Sequence, residues 1–272
     1  MSRTWLFVPG HRPERWAKAM ASGAHRVIVD LEDAVAPADK PAARAAVAAW
    51  LAGAPPSPTV PVFVRLNAVG TPWHADDLAL LDAPALGGLM LPKAEDPVLL
   101  AALASRRPNL PLVPLVESAA GLAAARALAA APGVERLAFG HIDLQADLGL
   151  RNATEDDLLP WRCELVLASR LAGIAPPLDG VTVAFDDPAR LAVDVARARR
   201  LGFGGKLCIH PAQLAGVHEG FQPSADEVTW AQRVLAVAAS SGGAAVALDG
   251  GMVDRPVILR AEAVLRDAGL AG

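Results

Sequence analysis

Eight short apolar runs recur along the chain, each followed by a polar cluster and then by an alanine-rich stretch of helical length. The runs are Trp5 to Val8, Arg26 to Asp30, Val62 to Arg65, Gly88 to Leu91, Leu112 to Glu117, Leu137 to Gly140, Val181 to Ala184 and Lys206 to Ile209. Helices are expected to begin near Pro13, Lys40, His74, Pro97, Ser118, Pro160, Pro188 and Pro211. Proline suits a first helical turn, where its missing N–H would have had no intrahelical partner. Strands that alternate with helices build βαβ units and a parallel sheet. Eight such units predict a TIM (β/α)8 barrel, a fold of about 250 residues, close to the 272 here. Hydrophobic residues make up 53% and charged residues 20%, which suits strands covered on both faces and excludes a disordered chain.

Composition also narrows function. A net charge of -4 and a pI near 5.9 argue against nucleic-acid binding, which draws on concentrated basic surface. Arg197, Arg199 and Arg200 read as the solvated face of an amphipathic helix. The two cysteines, Cys163 and Cys208, give no disulfide framework. No basic stretch leads into an apolar one at the start, and charges, Pro and Gly interrupt every apolar segment. A cytoplasmic protein without signal peptide or membrane span is therefore expected. GxSxG, P-loop, GxGxxG, HxxxH and HExxH patterns are all missing from the sequence, which lowers the odds of esterase, kinase, dehydrogenase and zinc-hydrolase chemistry.

The polar clusters carry the chemistry. In a parallel barrel all strand C-terminal ends meet on one rim, where barrel enzymes assemble their sites. Glu117 and Asp143 follow adjacent strands, where two carboxylates can hold one hard divalent cation while water and substrate fill its other positions. Alternatively, such carboxylates cap the following helices. Asp30, Glu32 and Asp33 add negative charge, either orienting metal-bound water or pairing with Arg12, Lys40 and Arg44. Arg65 can clamp a substrate carboxylate through two parallel hydrogen bonds, or form a salt bridge to Asp30 or Glu32. Lys93 reads as steadying the acidic rim, His210 as fixing a turn, His25 and His218 as surface residues, and Cys208 as inert core. Beyond the eighth unit a helix is expected from Ser224 to Ala239, then a connection at Gly242-Gly243 and a further tail. The expected organisation is a barrel over 1–222 and a helical or lid extension over 223–272.

The chain resembles the citrate lyase β-subunit-like proteins of the HpcH/HpaI aldolase superfamily. The matching segments include Leu6-Phe7-Val8-Pro9-Gly10, Asp30-Leu31-Glu32-Asp33-Ala34-Val35, Val64-Arg65-Leu66-Asn67 and Leu91-Pro92-Lys93-Ala94-Glu95. Further along come Pro114-Leu115-Val116-Glu117-Ser118, Phe139-Gly140-His141-Ile142-Asp143-Leu144, Gly202-Phe203-Gly204-Gly205-Lys206 with Ile209-His210-Pro211, and Met252-Val253-Asp254 with Pro256. The resemblance implies a Mg²⁺-dependent carbon–carbon lyase acting on a citryl-, citramalyl- or malyl-type 3-hydroxyacyl thioester of coenzyme A or an acyl carrier. A malyl-CoA thioesterase, a malate or citramalate synthase, and a citryl lyase subunit of a citrate lyase complex are the alternatives it allows. It implies Glu117 and Asp143 as metal ligands, Arg65 at the substrate carboxylate and Glu32 near the metal's waters. Asp254 matches a catalytic acid/base supplied by a neighbouring subunit, which implies a homo-oligomer, a trimer or hexamer. Pro9, Gly10, Arg12 and Arg15 match the approach to the thioester carrier.

Overall fold

The computed structural model describes residues 2–55, 58–240 and 246–270. Eight parallel strands close into a barrel: β1 (Thr4–Pro9), β2 (Arg26–Asp30), β3 (Val62–Arg65), β4 (Leu86–Leu91), β5 (Leu112–Val116), β6 (Ala138–Phe139), β7 (Leu178–Asp179) and β8 (Gly205–Cys208). Each pairs with the next in sequence, and β8 returns to β1 with Thr4 opposite Lys206. Helices α1 (Trp16–Met20), α2 (Lys40–Gly53), α3 (His74–Asp77), α4 (Pro97–Arg106) and α5 (Ala119–Ala130) each follow one of the first five strands. Then α6 (His141–Asp147) and α7 (Leu159–Ala172) follow β6, α8 (Pro188–Leu201) follows β7, and α9 (Leu214–Gly220) follows β8.

Local chemistry sets several boundaries. Asp96 and Asp187 cap α4 and α8 by accepting from Val98 N and Arg190 N, with Pro97 and Pro188 in the first turns. Ser118 caps α5 through Gly121 N at 3.1 Å. The barrel interior takes at least one side chain from every strand: Trp5, Ile28, Phe63, Met90, Val113 and Leu115, Ala138, Leu178 and Leu207. Burying a large apolar side chain of this kind stabilises by roughly 1.5–3 kcal/mol. The strands' other faces are buried too, as Val27 and Val29 are on either side of Ile28, so the runs are apolar throughout rather than alternating.

The seventh strand is a correction to the expected Val181 to Ala184. It lies earlier, where Leu178 pairs with Ala138 and Gly205 and Asp179 pairs with Lys206. The expected segment carries no strand, and its Val183 is 62% exposed. A fully buried carboxylate, Asp179, breaks the apolar run and hides the strand. Arg162 Nε donates to it at 2.9 Å and Lys206 Nζ at 3.3 Å. His25 is a second correction: it is half-buried, its Nδ1 accepting from Arg3 N and Thr4 N, and burial drives its pKa down to about 4. Cys208 is buried, and burial pushes its thiol up to about 12.

The chain divides into two compact units, Ser2–His218 and Glu219–Gly272. In the second, α10 (Ala225–Ser240) and α11 (Arg255–Asp267) pack through Ala231, Val234, Ala261 and Leu265. A hairpin of β9 (Val246–Leu248) and β10 (Gly251–Val253) adds Val253 to that core. Gly242-Gly243 falls outside the described residues. Among the described residues no helix is long and apolar enough to cross a membrane.

Candidate active site

The C-terminal ends of β1, β2, β3, β5 and β6 surround a cavity of about 450 Å³. Its polar wall is made by Asp30, Asp33, Arg65, Glu117, His141 and Asp143, and its apolar wall includes Phe7, Leu115, Phe139, Val181 and Leu207. Strand register explains part of this convergence. Asp30 and Arg65 end neighbouring strands and face each other directly. Val116 pairs with Phe139, which sets Glu117 beside Gly140.

Asp30 organises one side. Its carboxylate accepts both arms of Arg65, at 2.7 and 2.6 Å, and also Glu32 N and Ala34 N at 2.9 and 3.0 Å. Arg65 further lies 3.0 Å from Glu32 and 3.5 Å from Asp33, over the face of Phe7. Burial opposes the guanidinium's charge, but these carboxylates outweigh it and hold its pKa above the ordinary value. Of the two readings of Arg65, the salt bridges are present, and the residue also lines the cavity. The acidic loop's cation is thus Arg65; Arg12 pairs with Glu14 and Arg44 with Asp76 and Asp77. Lys40 serves the same loop through its backbone, donating to Leu31 O and Glu32 O at 2.8 Å each.

Glu117 organises the other side. Lys93 N donates to its Oε1 at 2.7 Å from a left-handed backbone with φ of 46°, a conformation uncommon outside glycine. Burial pushes Glu117 up to about 9, aided by the charges of Glu32 and Asp143 and opposed by the Lys93 N–H and Arg65. Burial likewise pushes Glu32 up to about 7, against Arg65. A Cβ at Gly140 would fall 2.5 Å from both Cβ and Oε2 of Glu117, so the glycine makes room for the carboxylate. Asp143 sits in the first turn of α6, half-buried.

Buried carboxylates that burden one another in this way are the donor set of a hard cation. Among the described residues no three His, Cys, Asp or Glu side chains form a ready ligand cluster. Glu117 and Asp143 are instead a pair, the regime in which Mg²⁺ is held by one or two carboxylates and keeps positions for water and substrate. The residues present therefore fit a magnesium ion.

Other expected residues fall as follows. Pro9 is on the cavity wall. Gly10 N donates to Asp30 O at 2.8 Å, and a Cβ there would meet that oxygen at 2.7 Å. Arg12 and Arg15 are exposed or half-buried at the short helical turn that follows. Ser118, besides capping α5, donates to Glu95 at 2.6 Å. His210 accepts from Ala212 N and, with Gln213, forms a capping box that fixes the turn after β8. Asp254 caps α11 in the second unit, accepting from Val257 N at 3.3 Å.

Sequence reasoning missed His141 as a wall residue and the ionic group behind it. His141 is 6% exposed, packs beside Phe139, and its Nδ1 is buried without a hydrogen-bond partner. Behind it, Asp179, Arg162 and Lys206 form the buried triad of β7, α7 and β8. Opposite charges inside two consecutive strand-length segments, Asp179 and Lys206, were the available signal.

The sequence model of the HpcH/HpaI aldolase/citrate lyase family matches residues 3–211. A citrate lyase subunit beta-like protein of Mycobacterium tuberculosis is 41% identical, over 98% of this chain and 96% of that protein. A (3S)-malyl-CoA thioesterase of Cereibacter sphaeroides is 33% identical, over 98% and 94%. Among solved structures, CitE from M. tuberculosis in complex with magnesium, acetoacetate and coenzyme A superposes with a TM-score of 0.87, at 39% identity, covering 98% of both chains.

Proposed function

The chain belongs to the HpcH/HpaI aldolase/citrate lyase family, and from that premise we propose that it cleaves a 3-hydroxyacyl thioester of coenzyme A into a keto acid and an acyl thioester. The observation that carries this reading is the meeting of Glu117, Asp143 and Arg65 on one cavity. The solved relative bound to magnesium and coenzyme A supports the same cofactor and carrier here. Glu117 and Asp143 would hold Mg²⁺, which when bound supplies Lewis acidity toward the substrate hydroxyl and the carbonyl that forms from it.

The rest falls to side chains. Arg65, held rigid by Asp30, presents a preorganised cation to the substrate carboxylate, so little reorganisation accompanies the reaction. Glu32, beside Arg65 and with a raised pKa, stands to accept or return the hydroxyl proton through water. As the carbon–carbon bond breaks, its electron pair passes to the thioester fragment as an enolate, and the hydroxyl carbon becomes the keto carbon. Asp254, contributed by a neighbouring subunit of a trimer or hexamer, protonates that enolate to give the acyl thioester. Pro9, Gly10, Arg12 and Arg15 form the approach for the carrier.

The test follows keto acid and free coenzyme A separately from citryl-, citramalyl- and malyl-CoA. Keto acid should appear with Mg²⁺, stop with EDTA, and fall at least 100-fold in Glu117→Ala; activity indifferent to both would overturn the reading. The thioesterase relative favours a second outcome, hydrolysis, which the same assay reads as free hydroxy acid and free coenzyme A. Turnover of CoA esters by the purified chain distinguishes an autonomous enzyme from a citrate lyase complex subunit.

A further inference from the structure

The charge pattern of the cavity also bears on which thioester it takes, given the lyase reading above. We infer that the barrel site selects a keto acid with a single carboxylate. The matching thioester carries hydrogen or methyl, not a carboxymethyl arm, beside the carboxylate on its hydroxyl-bearing carbon.

Size does not decide the matter, because about 450 Å³ admits either substituent. Charge does. Four carboxylates line the cavity, Asp30, Asp33, Glu117 and Asp143, against the one guanidinium of Arg65. A divalent cation on Glu117 and Asp143 balances those two and leaves Asp30 and Asp33 facing Arg65. Arg65 in turn commits two N–H groups to Asp30 and a third nitrogen to Glu32 and Asp33. One substrate carboxylate completes that arrangement, and a second finds no counter-charge.

The cations behind the wall are spoken for. Arg162 and Lys206 bind Asp179, and Arg190 binds Glu155 and Asp194. Lys93 lines a separate cavity of about 360 Å³, with Asn67 and His74. What remains for the substituent is the apolar wall of Phe7, Leu115, Phe139, Val181 and Leu207. A carboxylate stripped of water there is costly without a partner, whereas a methyl group gains by burial.

Two measurements on the full chain loaded with Mg²⁺ test this. In calorimetric titration, pyruvate should bind at least tenfold more tightly than freshly dissolved oxaloacetate. In turnover, citramalyl- or malyl-CoA should exceed citryl-CoA at least 100-fold in kcat/KM. Oxaloacetate binding as tightly as pyruvate, with any of these thioesters cleaved, would overturn the selection and leave the lyase standing. Failure of both keto acids to bind, with no thioester cleaved, would overturn both readings. A Val181→Arg variant adds a cation to the apolar wall without touching the carboxylates or Arg65. Its oxaloacetate affinity should rise relative to pyruvate by tenfold or more, and an unchanged ratio in folded, Mg²⁺-binding protein would refute the charge argument.

Discussion

Glu117 keeps a proton that an exposed glutamate would lose, and two predictions follow from that. Its ordinary pKa is 4.5 and its folded value about 9, so between these values the folded protein binds a proton the unfolded chain does not. The stability this contributes is fully present below about 4.5 and is lost as pH rises through about 9. Glu32, raised from 4.5 to about 7, adds to the same trend over the lower part of the window. Mg²⁺ requires the deprotonated carboxylate, so its binding strengthens over the range in which the metal-free protein weakens. Thermal unfolding should show Tm falling from pH 6 to pH 9 without metal and a larger Mg²⁺-induced rise at pH 9 than at pH 6, and Glu117→Gln should flatten both trends. A Mg²⁺ increment independent of pH in the native sequence would contradict Glu117 as a ligand. The neighbouring glycine gives the second test. Gly140→Ala puts a methyl 2.5 Å from Glu117's Cβ and Oε2, and calorimetry should find Mg²⁺ affinity reduced at least tenfold, with the barrel still folded. These acids were legible in the sequence because they close apolar runs. The Arg65–Asp30 pairing was open there, since only strand register decides which neighbour a guanidinium meets.

At the scale of elements, legibility followed apolar continuity. β2 and β3 match the expected bounds to the residue because Val27, Ile28 and Val29, and Val62, Phe63 and Val64, are buried without interruption. β7 escaped detection because half of it is Asp179. That residue is tolerable inside the barrel only because Arg162 and Lys206 meet it with charge and hydrogen bonds. Removing one member of such a buried group strands the others in low dielectric, at a cost of about 3–5 kcal/mol. Asp179→Ala should therefore lower the denaturation midpoint sharply, whereas Arg44→Ala, whose partner Asp76 is exposed but whose other partner Asp77 is buried, should cost less. Asp179→Asn combined with Lys206→Met should recover part of the loss by removing charge from both sides. Urea unfolding of these variants measures all three, and equal midpoints for Asp179→Ala and the native sequence would show that the triad does not brace β7. His141 stayed ambiguous for a related reason: a histidine between a strand and a helix can face either way, and only the packing of Phe139 and Gly180 around it turns the ring inward.

For the whole molecule, length was informative because a barrel leaves residues over. The Ser2–His218 unit accounts for all eight strands, and Glu219–Gly272 forms a unit with its own core of Val234, Val253, Ala261 and Leu265. That second unit holds Asp254 at the N-terminus of α11, where the side chain caps the helix. The proposed role of Asp254 as an acid supplied by a neighbouring subunit makes a quantitative demand on mixed oligomers. In Glu117→Ala every subunit lacks a metal ligand, and in Asp254→Ala every subunit lacks the acid, so each variant alone should lose nearly all turnover. Acting within one subunit, the two defects could never compensate, because every chain in a mixture carries one of them. Acting between subunits, an intact site forms wherever a Glu117-bearing chain lies beside an Asp254-bearing one. Random exchange at equal amounts makes roughly a quarter of the sites intact in a closed ring. Unfolding and refolding the two variants together, or prolonged mixing with exchange verified by mass spectrometry, should therefore restore about a quarter of native activity by this statistical argument. No recovery after verified exchange would place Asp254 outside the chemistry or within its own subunit's site.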